Sequence, residues 1–454
     1  MQSVPCLIPL FVLKVHSENK YRKKMNGAPA SSTRDGKQKT RRSYSFIAHG
    51  YLGSKISAEE HSRKNCKLGT LYIAVTRYLI ARTKSNENDN RWGRRKETAN
   101  SFNLFLGGAC AHGIPFKRLT SCGAPRNSHP TCQRLLNFYR GFQIICRKSF
   151  LVDTMRAYFH AQNEKMPDYL PDSYLFYPAK PEQSEANQFE AAFAAREALV
   201  GRDRNLWILK PSDGSKGRNI IVLDNIKDIL RHIETQKEGS IAWVVQQYIY
   251  NPLLLRGDRK FDIRCWVLLD SEYNIWFYKK GVLRTTSVAF SLDKDKLSDK
   301  FIHLSNHCIQ TEHEEYGNFE PTNEMFFPEF KAYLNSRYNV SLEDSIIPQI
   351  KEIVQTTLLA AKDQMQTLEN SPYKSFNVFG YDFMIDTDMK VHLIEINSSP
   401  AVAAELLPEF TQALVEKAID PVFPILSKST EDLLVGGKGQ TSEVENRTAF
   451  ELIC

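Results

Sequence analysis

The run Arg259–Val267 (RKFDIRCWV) carries the densest chemistry in the chain. Side chains alternate along a strand, so Lys260, Asp262 and Arg264 share one face and Phe261, Ile263 and Cys265 the other. Three charges of mixed sign suit a solvated face with cross-strand ion pairs, or a charged floor for a polyanion. A hairpin further on sharpens the second option. Alternation along Val391–Asn397 puts Val391, Leu393, Glu395 and Asn397 on one face. Asp382, on the partner strand Phe379–Ile385, falls near Glu395 if the turn centres on Thr387-Asp388. Two carboxylates and an amide oxygen are hard ligands of the kind Mg²⁺ takes together with phosphate oxygens and water. Glu395 lies in the apolar run Leu393–Ile396. A buried, unpaired carboxylate is costly, which weighs against two idle surface acids.

Lys210–Gly217 (KPSDGSKG) is a glycine-containing turn with Lys216 at its tip. It lacks the GxxxxGK[ST] spacing of a Walker A loop, and no helix follows. An ordinary hairpin explains it; so does a flap over phosphates. Gln246, Gln247 and Ile249 end a strand whose amides could read an adenine edge, although a plain strand accounts for them equally well. Arg284 follows the apolar Gly281–Leu283, and Ser305-Asn306-His307 is a polar knot in a loop. A lone loop histidine such as His307 is more often a bystander than a general base.

The elements that position these groups follow from periodicity. Thr70–Arg82 reads as a helix, and residues 101–119 as short strands and turns. Leu206–Lys210, Asn219–Leu223 and Trp243–Ile249 read as strands. Lys260–Asp270 and Asn274–Leu283 pair around Ser271–Tyr273. Ser345–Leu368 and Ala404–Ala418 read as helices, and Phe176–Arg204 includes a surface loop with a domain boundary. Antiparallel hairpins mixed with helices predict an α+β fold.

The chain has 454 residues, 42% hydrophobic and 25% charged. That is room for about three domains, and it excludes collagen, coiled-coil and wholly disordered readings. Leu7–Leu13, interrupted by Pro9, is too short to cross a membrane, and a secretory n-region is lacking. The nine cysteines form no CxxC pair, which argues against disulfides and zinc and for a reducing compartment. Residues 1–60 hold eleven Lys and Arg against four acids, +7 of the net +8. The body is therefore nearly neutral and gives no ground for a nucleic-acid binder. Residues 1–65 read as a basic, disordered tail, with a transit peptide or a wrong gene model as other readings.

Taken in order, these segments resemble the tubulin–tyrosine ligase family of ATP-grasp ligases. The matching strings are Trp207–Gly217, Pro252–Leu255 (PLLL), Arg259–Val267, Gly281–Thr285 (GVLRT), His303–Gln310 (HLSNHCIQ), Asn323–Phe327 (NEMFF), Phe379–Ile385 (FGYDFMI) and Leu393–Ala401 (LIEINSSPA). Phe102–Leu106, Pro115–Leu119 and Asn137–Lys148 (NFYRGFQIICRK) add an amino-terminal match, so that the resemblance covers roughly residues 70–430. HLSNHCIQ and NEMFF look closer to the tyrosine-adding branch than to the glutamate- and glycine-adding ones. The resemblance implies an ATP-grasp fold, two α+β subdomains clasping ATP, over residues 201–430. It places a smaller domain at 66–200 and a carboxy-terminal tail at 431–454.

The activity implied is ATP-dependent amide formation through an acyl phosphate. Free L-tyrosine would be added to the C-terminal glutamate of detyrosinated α-tubulin, in the cytoplasm and without membrane or nucleic acid. Lys210 and Lys216 would hold ATP phosphates. Gln246, Gln247 and Ile249 would line the adenine. Lys260, Asp262, Arg264 and Arg284 would run along the phosphates and the reacting carboxylate, with Asn306 close to the reacting centre. Asp382, Glu395 and Asn397 would bind Mg²⁺. Such chemistry rests on positioning and charge neutralisation, and no nucleophile is called for. An acidic α-tubulin tail asks for local basic surface, for which Arg140, Arg147 and Lys148 with Tyr139 and Phe142 are candidates. The alternatives are a glutamate- or glycine-adding ligase of the same family, and an impaired tubulin-binding protein. Two departures stand out: Arg218-Asn219 replaces an acid–Gly pair after the glycine turn, and the family's first β-strand is not evident.

Overall fold

Alternation in Ser43–Ala48 buries Tyr44, Phe46 and Ala48, and this segment is the first strand, β1. The computed structural model describes residues 43–48, 70–85, 91–96, 102–107, 133–236, 242–365, 371–424 and 448–454. In chain order β2 (Arg91–Arg94), β3 (Leu104–Leu106) and β4 (Leu135–Leu136) follow. Next come β5 (Ser173–Phe176), β6 (Trp207–Pro211), β7 (Ile221–Leu223) and β8 (Trp243–Gln247). Then come β9 (Arg259–Leu269), β10 (Ile275–Tyr278), β11 (Val282–Ala289) and β12 (Glu324–Phe326). The last are β13 (Lys374–Ser375), β14 (Asn377–Ile385), β15 (Val391–Asn397) and β16 (Phe450–Leu452).

The first sheet runs β13-β4-β3-β1-β2 and is parallel throughout. β1 lies inside it, so residues 43–48 correct the expectation of an unstructured tail, and a first strand is present after all. The rest of that expectation lies outside the described residues. β1 is hard to read from sequence because it is six residues long and follows a basic, serine-rich stretch. Its partners, which decide the strand, are far along the chain. The helix Thr70–Ser85 covers the sheet with Leu71, Tyr72, Val75 and Leu79, as periodicity predicted.

The second sheet, β5-β8-β6-β7, is antiparallel. Helices Ala186–Val200 and Ile226–Glu234 cover one face, packing Phe189, Phe193, Ile229 and Ile233 on Trp207, Leu209, Trp243 and Val245. Alternation then turns Ile208 and Lys210 to the opposite face. The expected loop over Phe176–Arg204 is largely this first helix. The sheet takes β5 and the helix from before residue 201, so they belong with the strands that follow.

In the third sheet β9 is central. It pairs with β11 and β10 along one edge and β14 along the other, and all eleven of its residues are buried. The helix Ile347–Met365 packs against Phe261, Ile263, Cys265, Val267 and Leu269; Trp266 and Leu268 meet the helix Leu407–Leu414 on the other face. β16 adds an edge strand beside β10, which corrects the reading of 431–454 as a tail for the part described. Among the described residues no helix is long and apolar enough to cross a membrane, and each described cysteine is free. The mixed parallel and antiparallel architecture is α+β.

β14 and β15 form the expected hairpin with one irregularity. Asp382 pairs with Glu395 and Phe383 with Leu393, so Ile394 is an extra residue in β15. Such a bulge resets alternation. Val391 and Leu393 point into the core with Phe383 and Ile385, while Glu395 lies with Asp382. The expectation that Val391, Leu393, Glu395 and Asn397 share a face is therefore wrong, although Glu395 does meet Asp382.

Candidate active site

A cleft with about 770 Å³ of open space lies between the second and third sheets. Its concave, largely apolar lining with a few converging polar groups suits a small organic ligand. Lys210, Gln246, Gln247, Ile249, Lys260, Asp262, Arg284, Asn306, Asp382 and Glu395 all line it. Arg264 and Asn397 do not, but both bond to Asp382. Lys216 stands exposed on the turn at φ +60°.

The solvated reading of the β9 face fails, because Lys260 is 3% exposed and Asp262 4%. Lys210 donates to Gln246 Oε1 at 2.7 Å, and Gln246 Nε2 donates to Ser173 Oγ at 2.9 Å. Gln246 therefore aims Lys210, and its amide is already committed. Burial, then the nearby Lys148 charge, lowers Lys210 to about 8. Burial and Lys210 lower Lys260 to about 7. Two desolvated ammonium groups that repel one another favour an anion between them.

The acids are organised by two arginines. Arg284, on β11, bonds to Asp262 at 2.9 Å and to Asp382 at 2.8 Å. Arg264 also pairs with Asp382, at 2.8 Å from Nη2 to Oδ2. Burial raises the Asp382 carboxyl, but the two guanidinium groups outweigh it and hold it well below the usual range. Asp262 shares only Arg284 and also accepts from Ser305, so burial prevails and its pKa goes up. Glu395 Oε2 lies 3.3 Å from Lys148 Nζ. Asn397 Nδ2 donates to Glu395 Oε1 at 3.1 Å and to Asp382 at 3.4 Å.

Among the described residues no group of three or more His, Cys, Asp or Glu could hold a metal. The set here is two acids and an amide. Rotation of the Asn397 amide would turn its oxygen towards the carboxylates, giving three hard donors. That donor set fits Mg²⁺ completed by phosphate and water, and does not suit zinc.

The turn after β6 closes the cleft against the loop at 304–309. Gly217 has φ +70°, and a Cβ there would lie 2.4 Å from Ile309 Cδ1 and 3.1 Å from Asn306 Oδ1. Asn219, standing where the family pattern has glycine, is also left-handed at φ 57°, which asparagine tolerates better than most residues.

Several cleft residues escaped the sequence reading. Lys148, expected on the tubulin-facing surface, instead bonds to Gly214 O at 2.9 Å and lines the cleft. The signal available was its place at the start of the helix Lys148–Ala161, but only the fold brings that end to the turn. Tyr139 and Phe142, expected beside it, are core residues, whereas Arg140 and Arg147 are exposed. Ile208 and Ile220 face Met384 and Ile394 across the cleft and form apolar walls suited to a flat ring. Tyr248 and His303 also line it.

A sequence profile of the tubulin-tyrosine ligase family matches residues 126–431. Among individual relatives, mouse (Mus musculus) protein monoglycylase TTLL8 is 36% identical over 233 residues, which is 48% of this chain and 27% of that protein. Tubulin glycylase 3C of Tetrahymena thermophila is 32% identical over 279 residues, 57% of this chain and 25% of that one. Human (Homo sapiens) tubulin monoglycylase TTLL3 is 33% identical over 217 residues, 44% and 26%. The chain thus spans about a quarter of the length of these relatives. Their names overturn the expectation of tyrosine addition. The strings that suggested it, HLSNHCIQ and NEMFF, have a structural job in this cleft. His303–Asn306 line it, while Gln310 and Asn323 tie the loop to β11 through Ser287 and Thr285.

Proposed function

The chain belongs to the tubulin–tyrosine ligase family of ATP-grasp proteins, and from that premise we propose that it is an ATP-dependent ligase adding glycine to a carboxylate of tubulin. The observation that carries the proposal is the cleft, where Lys210, Lys260, Lys148 and Arg284 converge beside Asp382 and Glu395. The glycylase names of its relatives supply the amino acid.

The fit to nucleotide is chemical. Ile208, Ile220, Met384 and Ile394 would take the adenine beside the strand end Gln247–Ile249. Lys148, Lys210 and Lys260 would meet its phosphates, with Lys216 and the turn above them. Asp382, Glu395 and Asn397 would hold Mg²⁺. ATP supplies the phosphoryl group that activates the tubulin carboxylate. Arg264 and Arg284 offer fixed guanidinium charge where negative charge develops, and preorganised charge of this kind is the main source of catalysis in such sites. Asn306 lies at the turn end of the cleft. Exposed Arg140 and Arg147 remain available to an acidic tail, and a tubulin substrate implies association with the cytoskeleton.

The test is transfer of labelled glycine, glutamate and tyrosine to purified tubulin with ATP and Mg²⁺. Glycine incorporation that requires both ATP and Mg²⁺ is expected; incorporation of glutamate alone would overturn the choice of amino acid. A second prediction concerns the turn. Gly217→Ala puts a methyl group into Ile309 at a left-handed φ, so the turn shifts at a cost of roughly 1–2 kcal/mol. ATP affinity should fall about tenfold by calorimetry, with the thermal midpoint nearly unchanged. Unaltered affinity would remove the turn from the nucleotide site.

A further inference from the structure

Lys260 Nζ donates to Tyr248 Oη at 2.9 Å and to the carbonyl of His303 at 3.0 Å. Tyr248 Oη is 2.8 Å from His303 Nδ1, and His303 Nε2 is 3.2 Å from the carbonyl of Lys296. A carbonyl only accepts, so Nε2 carries the imidazole proton. Nδ1 is then an acceptor, and the Tyr248 hydroxyl must spend its proton there. Its oxygen is left free to accept from Lys260. Each bond fixes the direction of the next. Two of the three ammonium protons are tied down, and among the described residues the third has no partner. It is carried on a side chain that lines the cleft.

From this chain of donors we infer that Tyr248 and His303 are positioning residues, which orient the Lys260 ammonium and leave one N–H for an oxygen of the bound nucleotide. The inference rests on the nucleotide reading of the cleft. The surroundings of Lys260 are consistent with the assignment. Burial and the Lys260 charge lower His303 to about 4, so the imidazole is neutral at pH 7. The Tyr248 ring lies 4.6 Å and the Phe290 ring 5.9 Å from Nζ, and both favour a cation there. The charged groups facing Lys260 are Lys210, which opposes its charge, and Asp262, which supports it. Tyr248 also packs edge-on to His303 at 5.6 Å, so the pair is held by packing as well as by its hydrogen bond.

The linkage has a definite sign. Lys260 loses its proton near pH 7 in the free protein, and a nucleotide oxygen would hold the proton on. Nucleotide affinity is therefore greatest below that pH and weakens as pH rises through it. Removing the phenol oxygen takes an acceptor from the charged form, so the fall-off should move to lower pH.

The experiment is calorimetric titration of ATP·Mg into the full chain across pH 6–9, for wild type, Tyr248→Phe, His303→Leu and His303→Asn. Asparagine offers an oxygen near the position of Nδ1. Tyr248→Phe should weaken binding about tenfold at pH 7, as loss of a hydrogen bond to a charged group does. It should also shift the pH profile downwards. His303→Leu should shift it the same way, and His303→Asn should restore the wild-type profile. In a Lys260→Met background Tyr248→Phe should add nothing. Wild-type affinity and profile in both Tyr248→Phe and His303→Leu would overturn the inference, as would His303→Asn behaving like His303→Leu. If Tyr248→Phe does not fold, the His303 pair decides alone. Failure of the wild-type chain to bind ATP would instead overturn the nucleotide reading.

Discussion

Glu395→Gln should yield a folded protein that no longer transfers the amino acid. Glu395 is partly exposed, and its partner Lys148 is 3.3 Å away at the cleft wall. An ion pair in that setting contributes about 1 kcal/mol or less to stability, so the thermal midpoint should hardly move. Glutamine keeps the shape and the hydrogen bond from Asn397 but removes the charge a hard cation needs. Glycine transfer should fall at least about a hundredfold, as losses of fixed charge at a reacting centre do. Raising Mg²⁺ should recover part of it. The measurement is initial rate against Mg²⁺ concentration beside a thermal melt. A near-normal rate at ordinary Mg²⁺ would remove Glu395 from the metal set.

Arg284→Met should damage stability most. Arg284 is the only described cation bonded to both Asp262 and Asp382, and both acids are almost wholly buried. Breaking a buried pair by removing one partner costs roughly 3–5 kcal/mol, and here two acids lose it together. The pH dependence should also change. In wild type Asp382 is held low, so its contribution is present above the ordinary carboxylate pKa and lost as pH falls through its depressed value. Without Arg284, Asp262 faces Asp382 with no guanidinium of its own, and its already raised pKa climbs further. The folded variant then binds a proton that the unfolded chain does not, and regains stability as pH falls towards 5. Urea denaturation at pH 7 and pH 5 checks this. A variant equally stable at both values would show that Arg284 does not control these acids.

Strand alternation made much of this site legible. Lys260, Asp262 and Arg264 share a face of β9 because that strand is regular, and Asp382 meets Glu395 because the hairpin register is set by its turn. What stayed hidden came from contacts distant in sequence. The bulge at Ile394 leaves no mark in a run of apolar residues, yet it turns Leu393 inward and keeps Glu395 in the cleft. Lys148 joins the site only because its helix packs on Ser212. β1 is a strand by virtue of two parallel neighbours that begin 48 and 61 residues after Ser43 in the numbering. The amino acid is not legible in HLSNHCIQ and NEMFF, which build the wall and clamp of the cleft.

The order of the parallel sheet bears on how the chain is made. β4 is covered by β13, which arrives at Lys374, long after Leu135 has been synthesised. Until then β4 is an open edge, and unpaired edges template association between chains. β4 gains that neighbour only after every strand of the second sheet, together with β9, has left the ribosome. Contacts that close so late in sequence form slowly. A fragment ending before Lys374 would keep that edge permanently.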